Sequence, residues 1–149
     1  MKRQPTSRMC FGCGRENPIG LRAEYYQDDN KVYCTYTPHD EYQGYPGVVH
    51  GGILCTIIDE VLFRTALIEG SPWMVTAKME VRFRAPVPIG KPLTATAEVV
   101  EWKRRTLEAK GEIRLEDGTL AVEANATFVR IPESSSLRFD EELEFWEVK

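Results

Sequence analysis

Gly47-Val48-Val49-His50-Gly51-Gly52-Ile53-Leu54-Cys55-Thr56-Ile57-Ile58-Asp59-Glu60-Val61-Leu62 is the stretch on which the fold turns. A glycine-rich loop runs into an apolar segment without a break. From Gly51 to Glu69 there is no proline. Ile53, Leu54, Ile57, Ile58, Val61, Leu62, Ala66 and Leu67 recur at helical spacing and cover most of the circumference. A helix apolar on so many sides is expected to be buried rather than half exposed. Gly70 and Pro72 mark its end.

A buried helix needs cover, and the flanking sequence supplies strands. Upstream, Leu21–Gln27 and Lys31–Tyr36 are rich in aromatic and β-branched residues around the turn Asp28-Asp29-Asn30, which predicts a hairpin. Downstream, the period switches to two. Val75, Ala77, Met79, Val81 and Phe83 alternate with Thr76, Lys78, Glu80, Arg82 and Arg84. Leu93–Trp102, Thr106–Leu115 and Leu120–Ile131 read as further strands, the last two joined by the hairpin turn Asp117-Gly118. The expected architecture is α+β, an antiparallel sheet of about six strands wrapped around one long central helix. Residues 1–20 read as an N-terminal loop segment, its first nine residues polar and loose. Residues 21–131 form the domain, and residues 132–149 an acidic tail carrying Leu137, Phe139, Leu143, Phe145 and Trp146.

The chain has 149 residues, enough for one domain with a sizeable core. Its net charge of −4 argues against a nucleic-acid binder. No apolar run reaches the roughly 20 residues of a membrane span, and the polar start does not read as a secretory signal. Cys10, Cys13, Cys34 and Cys55 make no evident disulfide framework, so the expected compartment is the cytoplasm. The pair Cys10-x-x-Cys13 falls short of the four ligands of a usual zinc site, with His39 and His50 far off in sequence. No metal is expected, and the pair reads as part of a structural loop.

Two features carry chemistry. Gly51 and Gly52 leave unpaired N–H groups at a helix start, where the dipole favours developing negative charge. That is what an oxyanion hole requires. Asp59-Glu60 puts carboxylates in the middle of a buried helix, which is costly unless they are paired or used. Burial raises a carboxylate's pKa, which suits general base work. His50 and Asp59 are nine positions apart, hence on opposite sides of a helix and about 13.5 Å apart along its axis. They do not form a dyad within one chain. If both act on one substrate, two copies of the chain must share each site.

Gly47-Val48-Val49-His50-Gly51-Gly52, Asp59, and the strand Thr76-Ala77-Lys78-Met79-Glu80-Val81-Arg82-Phe83-Arg84-Ala85-Pro86 resemble the hotdog-fold acyl-CoA thioesterases, closest to the phenylacetic-acid-degradation type. Cys10-Phe11-Gly12-Cys13-Gly14 with Asn17-Pro18-Ile19-Gly20-Leu21 is similar to bacterial members of that group. The resemblance implies homodimers or dimers of dimers with sites at the interface, and hydrolysis of an acyl-CoA to free acid and coenzyme A. It implies no cofactor, coenzyme A being part of the substrate, and no nucleic-acid or membrane partner. Gly51 would offer its N–H to the thioester carbonyl, with Gly52 as a second donor. Asp59 of the partner subunit would act as general base or nucleophile. Thr76 would position water. Gln43 is the nearest polar helper, with Gly44 where some relatives carry Asn, and His50 would either polarise or orient the loop or serve a purely structural role. Arg82, Arg84, Lys103, Arg104 and Arg105 are candidates for a basic rim that meets the coenzyme A phosphates. Two other readings stay open: a non-enzymatic acyl-CoA binder or sensor, and a hotdog acyl-thioester hydratase or dehydratase, whose Asp-x-Asn-x-x-His pattern is absent.

Overall fold

The computed structural model describes residues 1–70 and 73–132. The tail from residue 133, with its five apolar side chains, and Pro72 lie outside the described residues. Ten elements follow in order: β1 (Lys2–Arg3), β2 (Tyr26–Asp28), β3 (Lys31–Tyr36), a 3-10 turn (Asp40–Tyr42), α1 (Gly51–Phe63), α2 (Thr65–Ile68), β4 (Met74–Phe83), β5 (Leu93–Trp102), β6 (Thr106–Leu115) and β7 (Leu120–Arg130). The strands form one antiparallel sheet in the order β1-β2-β3-β5-β6-β7-β4. It has seven strands where about six were expected; the addition is the short β1.

The apolar face of α1 buries Leu54, Ile57, Ile58, Val61 and Leu62 against the inner face of β3 to β7. Small residues line that face: Ala95, Ala97, Ala109, Ala124 and Ala126 are all buried. Gly111 completes the bed. A Cβ there would stand 2.7 Å from the Thr96 carbonyl oxygen and 3.2 Å from Leu62, so the close approach of helix and sheet requires glycine. The turns match their chemistry. Gly118 (φ +86°) closes the β6–β7 hairpin, and Asp29 (φ +51°) the β2–β3 hairpin.

Three expectations are corrected. The helix predicted to run to Glu69 breaks at Arg64, and α2 continues for one turn. The first hairpin's leading strand is short: Leu21, Ala23 and Tyr25 are buried, but only Tyr26–Asp28 joins the ladder. The first nine residues are not loose. Lys2 and Arg3 pair with β2, and Gln4, Thr6 and Ser7 are buried. The cause is Arg64, fully buried at the end of α1. Its Nη1 donates to the Pro5 carbonyl (2.8 Å), and its own carbonyl accepts from Gln4 Nε2 (3.2 Å). A buried guanidinium needs its donors met; the Pro5 carbonyl meets Nη1, and Glu60 meets Nε (3.1 Å).

Candidate active site

The loop entering α1 is held by its own backbone. Gly44 N–H donates to the Val48 carbonyl (2.8 Å), Val49 N–H to that of Val87 (2.8 Å), and His50 N–H to that of Tyr42 (2.9 Å). Gln43 Oε1 accepts from Gly47 N–H (3.2 Å), so its carbonyl oxygen braces the loop. His50 is the N-cap of α1, and its Nδ1 accepts from Gly52 N–H (2.8 Å). That bond puts the proton of the neutral ring on Nε2. It also corrects the expectation for Gly52, whose N–H is spent on the cap. Gly51 N–H, by contrast, has no acceptor among the described residues. It stands at the start of a 13-residue helix, where the dipole adds to its pull on an anion. Phe83, at the end of β4 and 53% exposed, lies against it: a Cβ on Gly51 would sit 3.6 Å from the ring.

Two turns along α1, Asp59 faces the beginning of β4. Its Oδ1 accepts a 2.7 Å hydrogen bond from Thr76 Oγ1. Burial raises its carboxyl above the ordinary range, the Thr76 bond opposes this, and the neighbouring Glu60 charge adds to it. Strict alternation would turn Thr76 away from the helix. A β-bulge prevents that. The β4–β7 register slips between Thr76 and Lys78, leaving Ala77 unpaired, so Thr76 lies opposite Phe128 while Met79, Val81 and Phe83 lie opposite Ala126, Ala124 and Val122. Both sets therefore face α1.

Glu60 points elsewhere. Its side chain is 15% exposed and pairs with Arg64 Nε (3.1 Å). Burial, the largest cause, pushes its carboxyl up to about 7 against the opposing Arg64 charge. Cys10 Sγ lies 3.7 and 3.9 Å from its two oxygens. The sequence gives no sign of this contact, since nothing in local spacing links residue 10 to residue 60.

The basic candidates do not converge within one chain. Arg82 and Arg84 lie on the outer sheet face. Arg84 Nε pairs with Glu123 (3.1 Å), and Arg82 lines a groove of about 480 Å³ with Lys31, Glu98, Lys110 and Glu123. Lys103, Arg104 and Arg105 form the exposed β5–β6 turn at the opposite end of the sheet from Gly51. That end also carries Met74, through the pairing of Arg130 N–H with the Arg105 carbonyl.

A family model for the thioesterase superfamily matches residues 46–122, just over half of the chain. The acyl-coenzyme A thioesterase THEM4 of Bos taurus is 28% identical over 130 residues, which are 85% of this chain and 53% of that protein. The chain thus spans about half the length of the curated relatives it matches. The crystal structure of the thioesterase superfamily protein RHA08564 is 32% identical with a TM-score of 0.76, covering 82% of this chain and 63% of that one. The PaaI protein of the E. coli phenylacetic acid degradation operon shares the fold at 23% identity and a TM-score of 0.68, covering 75% and 81% of the two chains.

Proposed function

The chain belongs to the thioesterase superfamily, and from that premise we propose that it hydrolyses acyl-coenzyme A thioesters at sites each built from two copies of the chain. One observation carries the reading. Gly51 and Asp59 stand at opposite ends of the same exposed edge strand, Gly51 beside Phe83 and Asp59 bonded to Thr76. Among the described residues β4 pairs with β7 on one side only, and most of its residues are exposed. A long open edge calls for cover. A two-fold axis near Met79 and Glu80 would pair β4 with its own copy, and by symmetry would bring the Gly51 end of one protomer to the Asp59 end of the other, twice over. The same operation would bring Arg84 of one protomer toward the Lys103–Arg105 turn of its partner, which supports the basic rim for coenzyme A.

The chemistry follows from the parts. Gly51 N–H and the α1 dipole polarise the thioester carbonyl and hold the oxyanion that forms on attack. Asp59 of the partner subunit takes a proton from the attacking water, with Thr76 fixing the carboxylate. His50 and Gln43 hold the loop and act as positioning residues. The coenzyme A thiolate leaves and the free acid remains. All four cysteines are free thiols, which supports a reducing compartment, the cytoplasm. Among the described residues no helix is long and apolar enough to cross a membrane.

The test is turnover of a panel of acyl-coenzyme A substrates, with released thiol as the readout. Thiol release by the wild-type chain and its loss in Asp59→Asn are expected. Unchanged turnover in a folded Asp59→Asn chain overturns the mechanism.

A further inference from the structure

We propose that Cys10, Cys13 and Glu60 bind a divalent transition-metal ion of zinc type, which fastens the N-terminal segment to α1. One donor atom from each residue lies within 4.8 Å of the others. Cys10 Sγ stands 3.7 Å from one Glu60 oxygen and 3.9 Å from the other. Metal bonds of about 2.3 Å to sulfur and 2.0 Å to oxygen put neighbouring corners of a tetrahedron roughly 3.5–3.8 Å apart. Cys10 and Glu60 therefore already stand near the spacing a bound ion imposes, with the Cys13 sulfur within 4.8 Å of both. Thiolate and carboxylate together suit zinc.

The loop is shaped around these atoms. Gly14 N–H donates to the Cys10 carbonyl (2.7 Å), and a Cβ on Gly14 would meet the Cys10 backbone at 2.5 Å, so only glycine closes this turn. A Cβ on Gly12 would stand 3.0 Å from Glu60 Oε2, so glycine also lets the loop reach the carboxylate. The sulfurs have an outer shell: Ser7 Oγ is 3.7 Å from Cys13 Sγ, and Ser7 Oγ also accepts from Cys10 N–H (3.2 Å). Such contacts hold metal-binding thiolates in place. Charge points the same way. Two thiolates and one carboxylate carry three negative charges, which a divalent ion and the buried Arg64 cancel. Cys13 is buried and Cys10 half-buried, leaving the Cys10 side open to a water in the fourth position.

An ion here would answer a problem of packing. The residues from Gln4 to Ser7 bury polar side chains, which contribute little hydrophobic stabilisation. Metal binding is folding free energy when the site exists only in the folded chain. The cluster lies apart from the Asp59–Thr76 pair, since Glu60 faces the N-terminal segment and Asp59 faces β4.

The test is elemental analysis and native mass spectrometry of the full chain, purified under reducing conditions and exposed to zinc. The expected result is one zinc per chain. Cobalt(II) in its place should give a thiolate-to-metal charge-transfer absorption. Cys10→Ser, Cys13→Ser and Glu60→Gln should each weaken zinc binding about tenfold or more. A wild-type chain that takes up no zinc overturns the proposal, as does one that gives no thiolate–cobalt absorption. So does a Cys10–Cys13 disulfide formed in preference to metal binding, or unchanged zinc content in the cysteine variants. Should a variant fail to fold, the wild-type arms decide alone. None of these readouts depends on acyl-CoA hydrolysis.

Discussion

Thr76 donates a 2.7 Å hydrogen bond to Asp59 because the unpaired Ala77 changes which residues of β4 face the helix. The bulge lets one strand serve the two proposed half-sites of the chain, with Thr76 at one end and Phe83 at the other. Thr76→Val removes the donor and keeps the shape. The expected outcome is a fall in kcat of about tenfold with thermal stability little changed, read by steady-state thiol release beside a melting curve. Equal loss of activity and fold would make Thr76 structural only.

Gly51 can lose its N–H without losing the helix. It is the first residue of α1, where proline is well tolerated, and His50 has ψ 134°, the extended conformation that precedes proline. Gly51→Pro should lower kcat by about 100- to 1,000-fold, the usual cost of one oxyanion donor. A folded variant with full activity removes Gly51 from the mechanism.

The shared site makes a sharper prediction. Gly51→Pro and Asp59→Asn chains are each expected to be nearly inactive. Unfolded and refolded together, they should recover about a quarter of wild-type activity, because half the dimers are mixed and each mixed dimer holds one intact site of two. Recovery of nothing, with mixed dimers confirmed by mass, would mean that each chain holds a whole site.

Gly111→Ala tests the helix–sheet packing. The added methyl group would meet the Thr96 carbonyl oxygen and the Leu62 side chain. A loss of about 1–3 kcal/mol in urea unfolding is expected, typical of overpacking. An unchanged midpoint would show that the sheet yields there at little cost.

What could be read from the sequence was local. Helix spacing marks the buried face of α1, Asp117-Gly118 marks its hairpin, and His50-Gly51-Gly52 marks the helix start. These signals lie within a few residues of the structure they specify. What could not be read depends on contacts between distant residues. Period-two alternation puts Thr76 outside, and only pairing with β7 reveals the extra residue. Spacing offers Gly52 as an oxyanion donor, but the His50 ring takes its N–H. A polar start reads as loose until Arg64 appears buried beneath it. Cys10 and Cys13 read as an incomplete pair until the fold brings Glu60 to them.

The order of strands in space carries a consequence for biosynthesis. β4 is made before β5, β6 and β7, yet among the described residues its one neighbour in the sheet is β7, the last of these strands. On the ribosome, residues 74–83 must wait without a partner until residues 120–130 have emerged. The strand that would form the contact between two copies is thus anchored last. A nascent chain would therefore offer no finished edge to a neighbouring chain until β7 has joined the sheet.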